Sequence, residues 1–215
     1  MMQIRFSDVC SSDKLNCFNL DFVCEGCTVL FDPTEHVSGS ILETLVGLQQ
    51  PETGELYLDG LGYDDFFLQH RLISTFALVF DEGIMLANLT LKENLQLPWK
   101  LRFPGEPVSA FESELDRWLK RLNLDCDVSL RPALVSPAVR KFLGFVRGCM
   151  LKPKILLIDD PFYLFNKTER ARILTFLQSL MDEQEMLIAS ADDEFLGDIS
   201  TKVIDFSLQF GNGKK

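Results

Sequence analysis

Residues 152–162 read KPKILLIDDPF, and their pattern indicates the fold class more directly than any other segment. Four apolar residues, Ile155 to Ile158, run without interruption and end at Asp159 and Asp160. A continuous apolar run is typical of a parallel strand that is buried on both faces, since helices cover both sides of such a sheet. The stretch therefore predicts a central strand of an α/β domain, ending at an acidic turn.

On either side of this stretch, strand-like and helix-like patterns of apolar residues alternate along most of the chain. The predicted strands lie within 2–32, 55–60, 78–80, 155–158, 186–189 and 203–206, and the predicted helices include 41–48 and 170–180. Such alternation is typical of an α/β fold.

The segment from 90 to 150 differs, because every pattern in it is helical. Ser109 with Glu112 fits a capping box before an apolar stripe at helical spacing. Ser136 before Pro137 predicts another helix start, with proline at the first helical position. We expect one domain over 1–215, with an α/β core from 1–89 and 151–215 and a helical subdomain from 90–150.

The composition of the chain excludes several classes of protein. Hydrophobic residues make up 47% and charged residues 25% of its 215 residues, which is typical of a globular protein rather than a disordered one. Lys and Arg number 21 against 32 Asp and Glu, so the net charge is -11. That charge argues against a nucleic-acid partner and against a surface that attracts free polyanions such as ATP.

The cysteines and the apolar runs bear on the cellular compartment. No apolar run approaches the roughly 18 residues of a membrane span, and the start, MMQIR, is followed by no signal-peptide-like apolar segment. We therefore expect a cytoplasmic protein whose six cysteines are reduced thiols. Cys24 and Cys27 have the spacing of half a metal or redox motif, but no second close pair exists. A zinc or redox site stays open beside the simpler interpretation of two small apolar residues that flank a hairpin.

Three segments of the chain resemble the ATPase subunits of ABC transporters. Residues 41–60, ILETLVGLQQPETGELYLDG, resemble the segment that follows the P-loop in that family. Residues 78–95 resemble its Q-loop region, and residues 152–162 resemble its Walker B strand. The order and spacing of the three segments agree with the family over nearly the whole chain.

The resemblance implies a P-loop NTPase core of the ABC ATPase type, with an antiparallel β edge and an inserted helical subdomain. It also implies an integral membrane permease as a partner, which would place the chain peripherally at the inner face of the membrane. A second ATPase-like subunit, in a homodimer or a heterodimer, is a further implied partner.

The phosphate loop departs from the family at its functional positions. A working loop reads G-x-x-x-x-G-K-[ST]: glycines let backbone N–H groups surround the phosphates, Lys reaches the terminal phosphates, and the hydroxyl binds Mg²⁺. Asp32 and Val37 replace the two glycines, Ser38 replaces the lysine, and Gly39 replaces the hydroxyl. Glu35 adds to the negative charge of Asp32, and like charges about 4 Å apart repel by roughly 4 kcal/mol at an effective dielectric of 20. The other vestigial loop positions are His36 and Ser40.

The remaining motifs are altered as well. In the resemblance, Asp159 matches the carboxylate that holds Mg²⁺ through water, and Asp160 matches the catalytic glutamate, one methylene shorter. Asp81 stands at the Q-loop glutamine, and Ala191 stands at the switch histidine. The signature reads VSPAV, in which proline has no N–H for a phosphate. We therefore predict no catalytic residue and no bound cofactor, with ATP and Mg²⁺ expected only if weak binding survives.

Two segments are predicted to contact partners. Met85 and Leu86 follow the Q-loop position and are expected to face the permease. Phe162, Tyr163 and Phe165 occupy the D-loop, which lies at the subunit interface in the family. An exposed aromatic patch marks a binding site, although packing in the core is the alternative for these residues.

Together these features predict a non-catalytic, structural or regulatory subunit of an ABC-type membrane transport complex. The sequence Asp160-Pro161-Phe162 resembles ABC ATPases of lipid export or Mce-type lipid trafficking, which suggests lipid transport. Two alternatives stay open: a weakly active ATP-binding subunit that works with an intact partner ATPase, and a cytosolic adaptor protein.

Overall fold

The computed structural model describes residues 1–10, 17–33, 37–194 and 196–207. The strands are β1 (Met2–Cys10), β2 (Cys17–Cys24), β3 (Cys27–Phe31), β4 (Thr53–Leu58), β5 (Leu61–Gly62), β6 (Phe76–Val79), β7 (Ile155–Asp159), β8 (Glu185–Ser190) and β9 (Lys202–Asp205). The helices are α1 (Ser38–Leu45), α2 (Tyr63–Gln69), α3 (Leu72–Thr75), α4 (Leu91–Arg102), α5 (Val108–Arg121), α6 (Pro137–Met150), α7 (Lys167–Leu180) and α8 (Leu196–Ile199), with a short 3₁₀ turn at Pro132–Leu134.

Two sheets organise the fold. An antiparallel sheet has the order β2-β1-β4-β5, and a sheet with parallel pairing has the order β6-β7-β8-β3-β9. Strand β7 lies between β6 and β8, where Leu157 pairs with Leu78 and Leu187. The predicted α/β fold, with 155–158 as an interior strand, is confirmed.

Two hydrophobic clusters cover the faces of the parallel sheet. The helical-side cluster contains Leu156 and Ile158 of β7 together with residues of α4, α5 and α6. The sheet-side cluster contains Ile155 and Leu157 together with residues of α1 and the antiparallel sheet. Successive side chains of a strand point to opposite faces, so a strand between two clusters has to be apolar at every position.

Residues 90–150, all of which the structure describes, contain helices and no strand. Ser136 is the N-cap of α6 as predicted, and its Oγ accepts a hydrogen bond from Val139 N at 3.3 Å. The predicted capping box at Ser109 is wrong, because α5 already begins at Val108 after the extended residue Pro107. No helix in the described part of the chain is both long and apolar enough to cross a membrane.

The cysteines depart from the expectation of six reduced thiols. Cys10 and Cys17 form a disulfide, because the register of β1 and β2 places them directly opposite each other. Cys24 and Cys27 flank a turn between strands of different sheets rather than a hairpin. Burial raises the pKa of both thiols to about 12. Since the thiolate is the reactive and metal-binding form, these two side chains behave as small apolar groups.

Candidate functional site

A cavity of about 300 Å³ lies at the carboxyl edge of the parallel sheet, where α/β proteins bind their ligands. It is lined by Ser38, Gly39, Asp81, Asp159, Asp160, Tyr163, Ala189, Ser190 and Ala191. The structure therefore brings together residues of the phosphate loop, the Q-loop, the Walker B strand and the switch position. A larger groove of about 600 Å³ lies beside β4 and α2, but none of the predicted site residues lines it.

Asp32 links the end of β3 to the first residues of α1 by hydrogen bonds. Its backbone N donates to Ser190 O at 3.0 Å, and its side chain is 1% exposed. The Oδ2 atom accepts hydrogen bonds from Val37 N at 2.8 Å and Ser38 N at 3.2 Å. These N–H groups belong to the segment that a working P-loop directs at a phosphate, so a carboxylate of the chain itself holds them here.

The other positions of the phosphate loop have separate surroundings. Val37 is 2% exposed and packs in the sheet-side cluster, which explains an apolar residue in place of glycine. A Cβ on Gly39 would lie 3.7 Å from Asp159 Oδ1, an ordinary van der Waals distance, so the first turn of α1 lies directly beside this carboxylate. Ser40 lies outside the cavity lining, and its hydroxyl donates to Gln49 Oε1 at 2.8 Å. Glu35 and His36 lie outside the described residues.

The cavity is acidic. The pKa of Asp159 is raised to about 6, first by burial and then by the negative charges of Asp81, Asp160 and Glu43, while the charge of Lys141 acts in the opposite direction. The carboxylates predicted at the Walker B and Q-loop positions are thus close enough to repel one another. At neutral pH Asp159 is still ionised, so the site presents negative charge to any ligand.

Lys141 is a site residue that the sequence interpretation missed. It is fully buried in α6, and its Nζ donates to Asp160 O at 2.6 Å and to Tyr163 O at 2.7 Å. Burial lowers its pKa to about 8, while the charges of Asp160, Asp81 and Asp159 act in the opposite direction. The available signal was a lysine within the apolar stripe of α6, next to Phe142.

The structure of the D-loop shows that two of the three residues predicted for the partner interface are buried. Phe162 is 2% exposed and Phe165 is 6% exposed, and both belong to the helical-side cluster. Phe165 stacks on Phe142 of α6 with a centroid distance of 4.5 Å. These two phenylalanines are therefore core residues. Tyr163 and Leu164 lie exposed on the same turn.

The segment after β6 is held firmly against the helices. The Asn94 side chain accepts a hydrogen bond from Leu86 N at 2.7 Å and donates to Leu86 O at 3.1 Å. Arg147 donates to Ile84 O at 3.0 Å. Met85 is partly buried against the helical-side cluster, whereas the side chains of Ile84 and Leu86 are 53% and 52% exposed. Of the two predicted contact residues here, only Leu86 offers a largely exposed surface.

A family model described as ABC transporter matches residues 39–163, more than half of the chain. The chain belongs to the ABC transporter family. The matched span runs from the start of α1 through the Q-loop segment, the helices of 90–150 and the Walker B strand to the D-loop.

Curated relatives of this ABC chain are named as import proteins. It is 24% identical over 213 residues to the sulfate/thiosulfate import ATP-binding protein CysA of Vibrio vulnificus (strain CMCP6), with 94% of this chain and 60% of that protein aligned. It is 26% identical over 187 residues to the molybdenum import ATP-binding protein ModC of Rhizobium etli, with 83% of this chain and 51% of that protein aligned. The chain thus spans between half and about three fifths of the length of these relatives.

Solved structures agree with the fold. The dimeric bacterial ABC transporter cassette MJ0796 superposes with a TM-score of 0.78 at 19% identity, covering 94% of this chain and 93% of that one. The protein cbiO1 from Clostridium perfringens, part of the ABC transporter complex cbiONQ, gives a TM-score of 0.72 at 15% identity, covering 94% and 83%. The predicted P-loop NTPase fold of the ABC cassette type is confirmed.

Proposed function

We propose that this ABC chain is a non-catalytic subunit of a membrane transport complex, with a structural or regulatory role. The observation that carries the proposal is the charge of the cavity at the carboxyl edge of the parallel sheet. Asp81, Asp159 and Asp160 line it, its lining residues within the described part of the chain include no Lys or Arg, and the nearby ammonium group of Lys141 is already bound to Asp160 O and Tyr163 O. A nucleoside triphosphate carries several negative charges, so this cavity repels the group that an ABC ATPase has to hold.

The residues around the cavity do not fit Mg-ATP. Ser38 supplies no ammonium group, and Gly39 supplies no hydroxyl for Mg²⁺ beside Asp159. The N–H groups of Val37 and Ser38 already bind the Asp32 carboxylate. We therefore derive no hydrolytic step for this chain.

Isothermal titration of the purified chain with Mg-ATP tests the absence of nucleotide binding. We expect no binding in the physiological range, and micromolar affinity would instead favour the weakly active subunit. Ser38→Lys is a second arm, in which phosphate release is measured. We expect no turnover, because one restored charge leaves the Mg²⁺-binding hydroxyl and the glycines missing. The effects on activity of residues that act as a unit are not additive.

A docking role is supported by the exposed pair Ile84 and Leu86, which lie on a segment fixed by Asn94 and Arg147. A rigid apolar surface binds with little loss of conformational entropy. Burial of each side chain contributes roughly 1.5–3 kcal/mol, a useful share of the about 8 kcal/mol of a micromolar complex. The names of CysA and ModC favour a permease of an import complex as the partner.

Affinity co-purification from the native membrane fraction tests this docking role. Leu86→Asp and Ile84→Asp are expected to lose the permease, whereas Leu68→Asp, an equally drastic change at an 84% exposed leucine of α2, is expected to keep it. Retention of the same partners by both folded variants would refute the docking surface. Recovery of soluble proteins alone would favour the cytosolic adaptor.

The proposal also includes a second ATPase-like subunit, which Tyr163 and Leu164 of the D-loop turn would contact. Light scattering measures the mass of wild type and of Tyr163→Asp, each alone and with a co-expressed cassette. If the variant has the same mass as wild type in both conditions, this contact is removed from the proposal. Lipid as cargo stays a prediction from Asp160-Pro161-Phe162, whose phenylalanine is buried in the core.

A further inference from the structure

A further cavity, of about 310 Å³, lies at the amino edge of the parallel sheet, opposite the acidic cavity at the carboxyl edge. Pro153 and Gln184, which line it, come shortly before the first residues of β7 and β8. Its other walls come from the second half of α5 and from the ends of α6 and α7, and we call it the α5–α7 cavity. Ligand pockets begin at roughly 300 Å³, so this cavity has room for a small molecule.

Trp118 of α5 lines this cavity and leaves a hydrogen-bond donor unused. The residue is 6% exposed, and among the described residues its indole Nε1 has no acceptor. A buried N–H without an acceptor costs free energy, and most such groups in folded proteins are paired. Trp99 also has an unpaired indole N–H, but it packs against the rings of Phe103 and Phe111. At Trp118 a cavity adjoins the donor, so an occupant that carries an acceptor can satisfy it.

The ion pairs around the α5–α7 cavity leave an excess of positive charge. Arg117 and Lys152 line the cavity and share the carboxylate of Glu114, which lies 2.6 Å from Arg117 Nε and 2.6 Å from Lys152 Nζ. Glu183, also in the lining, is paired with Arg121 at 2.7 Å. These ion pairs therefore comprise three cations and two carboxylates, in a chain whose net charge is -11. An anionic occupant balances the remaining positive charge.

The guanidinium groups also lie close to the ring that carries the unpaired N–H. The Cζ atoms of Arg117 and Arg121 are 4.6 and 5.2 Å from the centroid of the Trp118 ring. On the other side of the lining, Cys149 and Leu180 are buried apolar residues of the helical-side cluster. Burial raises the pKa of the Cys149 thiol to about 12, so this side chain stays protonated and packs as an apolar group.

We propose that the α5–α7 cavity is a binding site for a small organic carboxylate. The carboxylate accepts a hydrogen bond from Trp118 Nε1 and is attracted by Arg117 and Lys152, while its hydrocarbon part lies against Cys149 and Leu180. An inorganic oxyanion uses the charges but not the apolar wall, and a water molecule needs neither. The site is separate from the proposed function, because the two cavities lie at opposite edges of the sheet.

The experiment follows the indole N–H resonances of the ¹⁵N-labelled chain, which has two tryptophans, by nuclear magnetic resonance. Sodium butyrate is the probe, and sodium chloride at matched ionic strength is the reference. We expect the Trp118 resonance to move downfield with saturable, millimolar dependence on butyrate, as suits so small a ligand, while the Trp99 resonance stays in place. Trp118→Phe assigns the two resonances, and Trp99→Phe assigns them if that variant does not fold.

Two further probes separate a carboxylate from other occupants. Butanamide has nearly the same size and an oxygen acceptor but no charge, so we expect it to bind about tenfold more weakly than butyrate. Sodium phosphate should give no saturable shift of the Trp118 resonance. An equal response to phosphate or to butanamide would overturn the assignment of an organic carboxylate.

Charge-removing variants test the two cations. Arg117→Gln and Lys152→Gln should each bind butyrate about fivefold to tenfold more weakly, because each removes one charged partner of the ligand. Lys120→Gln is the matched control, since its side chain is 80% exposed on the same helix and does not line the cavity. It should bind as wild type does. The proposal fails if butyrate gives no saturable shift in wild type, or if Arg117→Gln and Lys152→Gln both keep the affinity of Lys120→Gln.

Discussion

Gly83 lies where the segment after β6 crosses the start of α6. Its φ is +61°, and a Cβ at this position would lie 2.5 Å from Lys141 N and 2.6 Å from Arg140 C. Both the left-handed backbone and the close approach of a second backbone require glycine here. The segment after β6 and the start of α6 therefore pack directly against each other through their main chains.

Gly83→Ala is expected to lower the free energy of unfolding by about 3 kcal/mol, because the left-handed conformation costs about 1 kcal/mol and the backbone has to move apart as well. Gly60→Ala is the control, since Gly60 has a φ of +81° but nothing within 4 Å of its added Cβ. It should lose only about 1 kcal/mol. Urea denaturation measures both values, and equal losses would show that the close approach is unimportant.

Asp159 gives a prediction with a defined pH window. Its pKa is raised from 3.8 to about 6 in the folded chain, so the folded state holds the proton where the unfolded state has released it. The contribution of Asp159 to the free energy of unfolding therefore falls as pH rises from about 4 to 6, and Asp159 remains destabilising at neutral pH.

Asp159→Asn should raise the free energy of unfolding at pH 7 by about 1–2 kcal/mol, after allowance for solvent screening, and should change it little at pH 4. Denaturation curves at the two pH values measure the difference. Asp205→Asn, at the exposed end of β9, should show no such gain. A loss of stability at pH 7 would mean that the carboxylate is stabilised by its surroundings rather than strained by them.

At the scale of elements, the turn after β7 shows what the sequence could and could not predict. The strand and the acidic turn follow from the apolar run and the residues after it. The aromatic cluster was ambiguous, because apolar residues in a turn serve the core or a partner equally well until the turn's orientation is known. In the structure Phe162 and Phe165 point into the helical-side cluster, while Tyr163 and Leu164 between them point outward.

Lys141 sets that orientation, since its ammonium group binds two carbonyl oxygens of the turn. Lys141→Met keeps most of the side-chain volume but leaves Asp160 O and Tyr163 O without this donor. We expect a loss of about 1–3 kcal/mol in the free energy of unfolding at pH 7. Lys120→Met on the exposed face of α5 should be within about 0.5 kcal/mol of wild type.

The pH dependence of the stability difference between wild type and Lys141→Met tests whether the pKa of Lys141 is lowered in the folded chain. The folded pKa of Lys141 is about 8 against an ordinary 10.5, so the unfolded chain binds more protons between these values. The contribution of Lys141 to stability therefore rises with pH across that window. The free energy of unfolding of wild type should therefore increase relative to that of Lys141→Met between pH 8 and 10. A constant difference would exclude a lowered lysine pKa.

For the molecule as a whole, the sequence predicted the α/β fold because a strand that is buried on both faces needs a continuous apolar run, which is visible in the sequence. No sequence pattern of this kind indicates the strand register that joins Cys10 to Cys17, or the contact from Asp32 to the start of α1. Each depends on the exact placement of two segments, and residue types alone do not specify it. The single domain with a helical subdomain at 90–150 stays a prediction, which the two clusters on β7 make testable.

Leu156→Ala and Leu157→Ala remove neighbouring, fully buried side chains from the helical-side and sheet-side clusters respectively. Each should cost about 3–5 kcal/mol, as large-to-small changes in a core do. Both tryptophans, Trp99 and Trp118, lie in the helical-side cluster, so their fluorescence reports that side alone, while far-ultraviolet circular dichroism reports the whole chain. If 1–215 is one cooperative domain, the two signals have the same midpoint in wild type and in each variant, although each variant weakens only one side. A fluorescence midpoint that falls below the circular dichroism midpoint in Leu156→Ala alone would show instead that the helical segment unfolds as a separate unit.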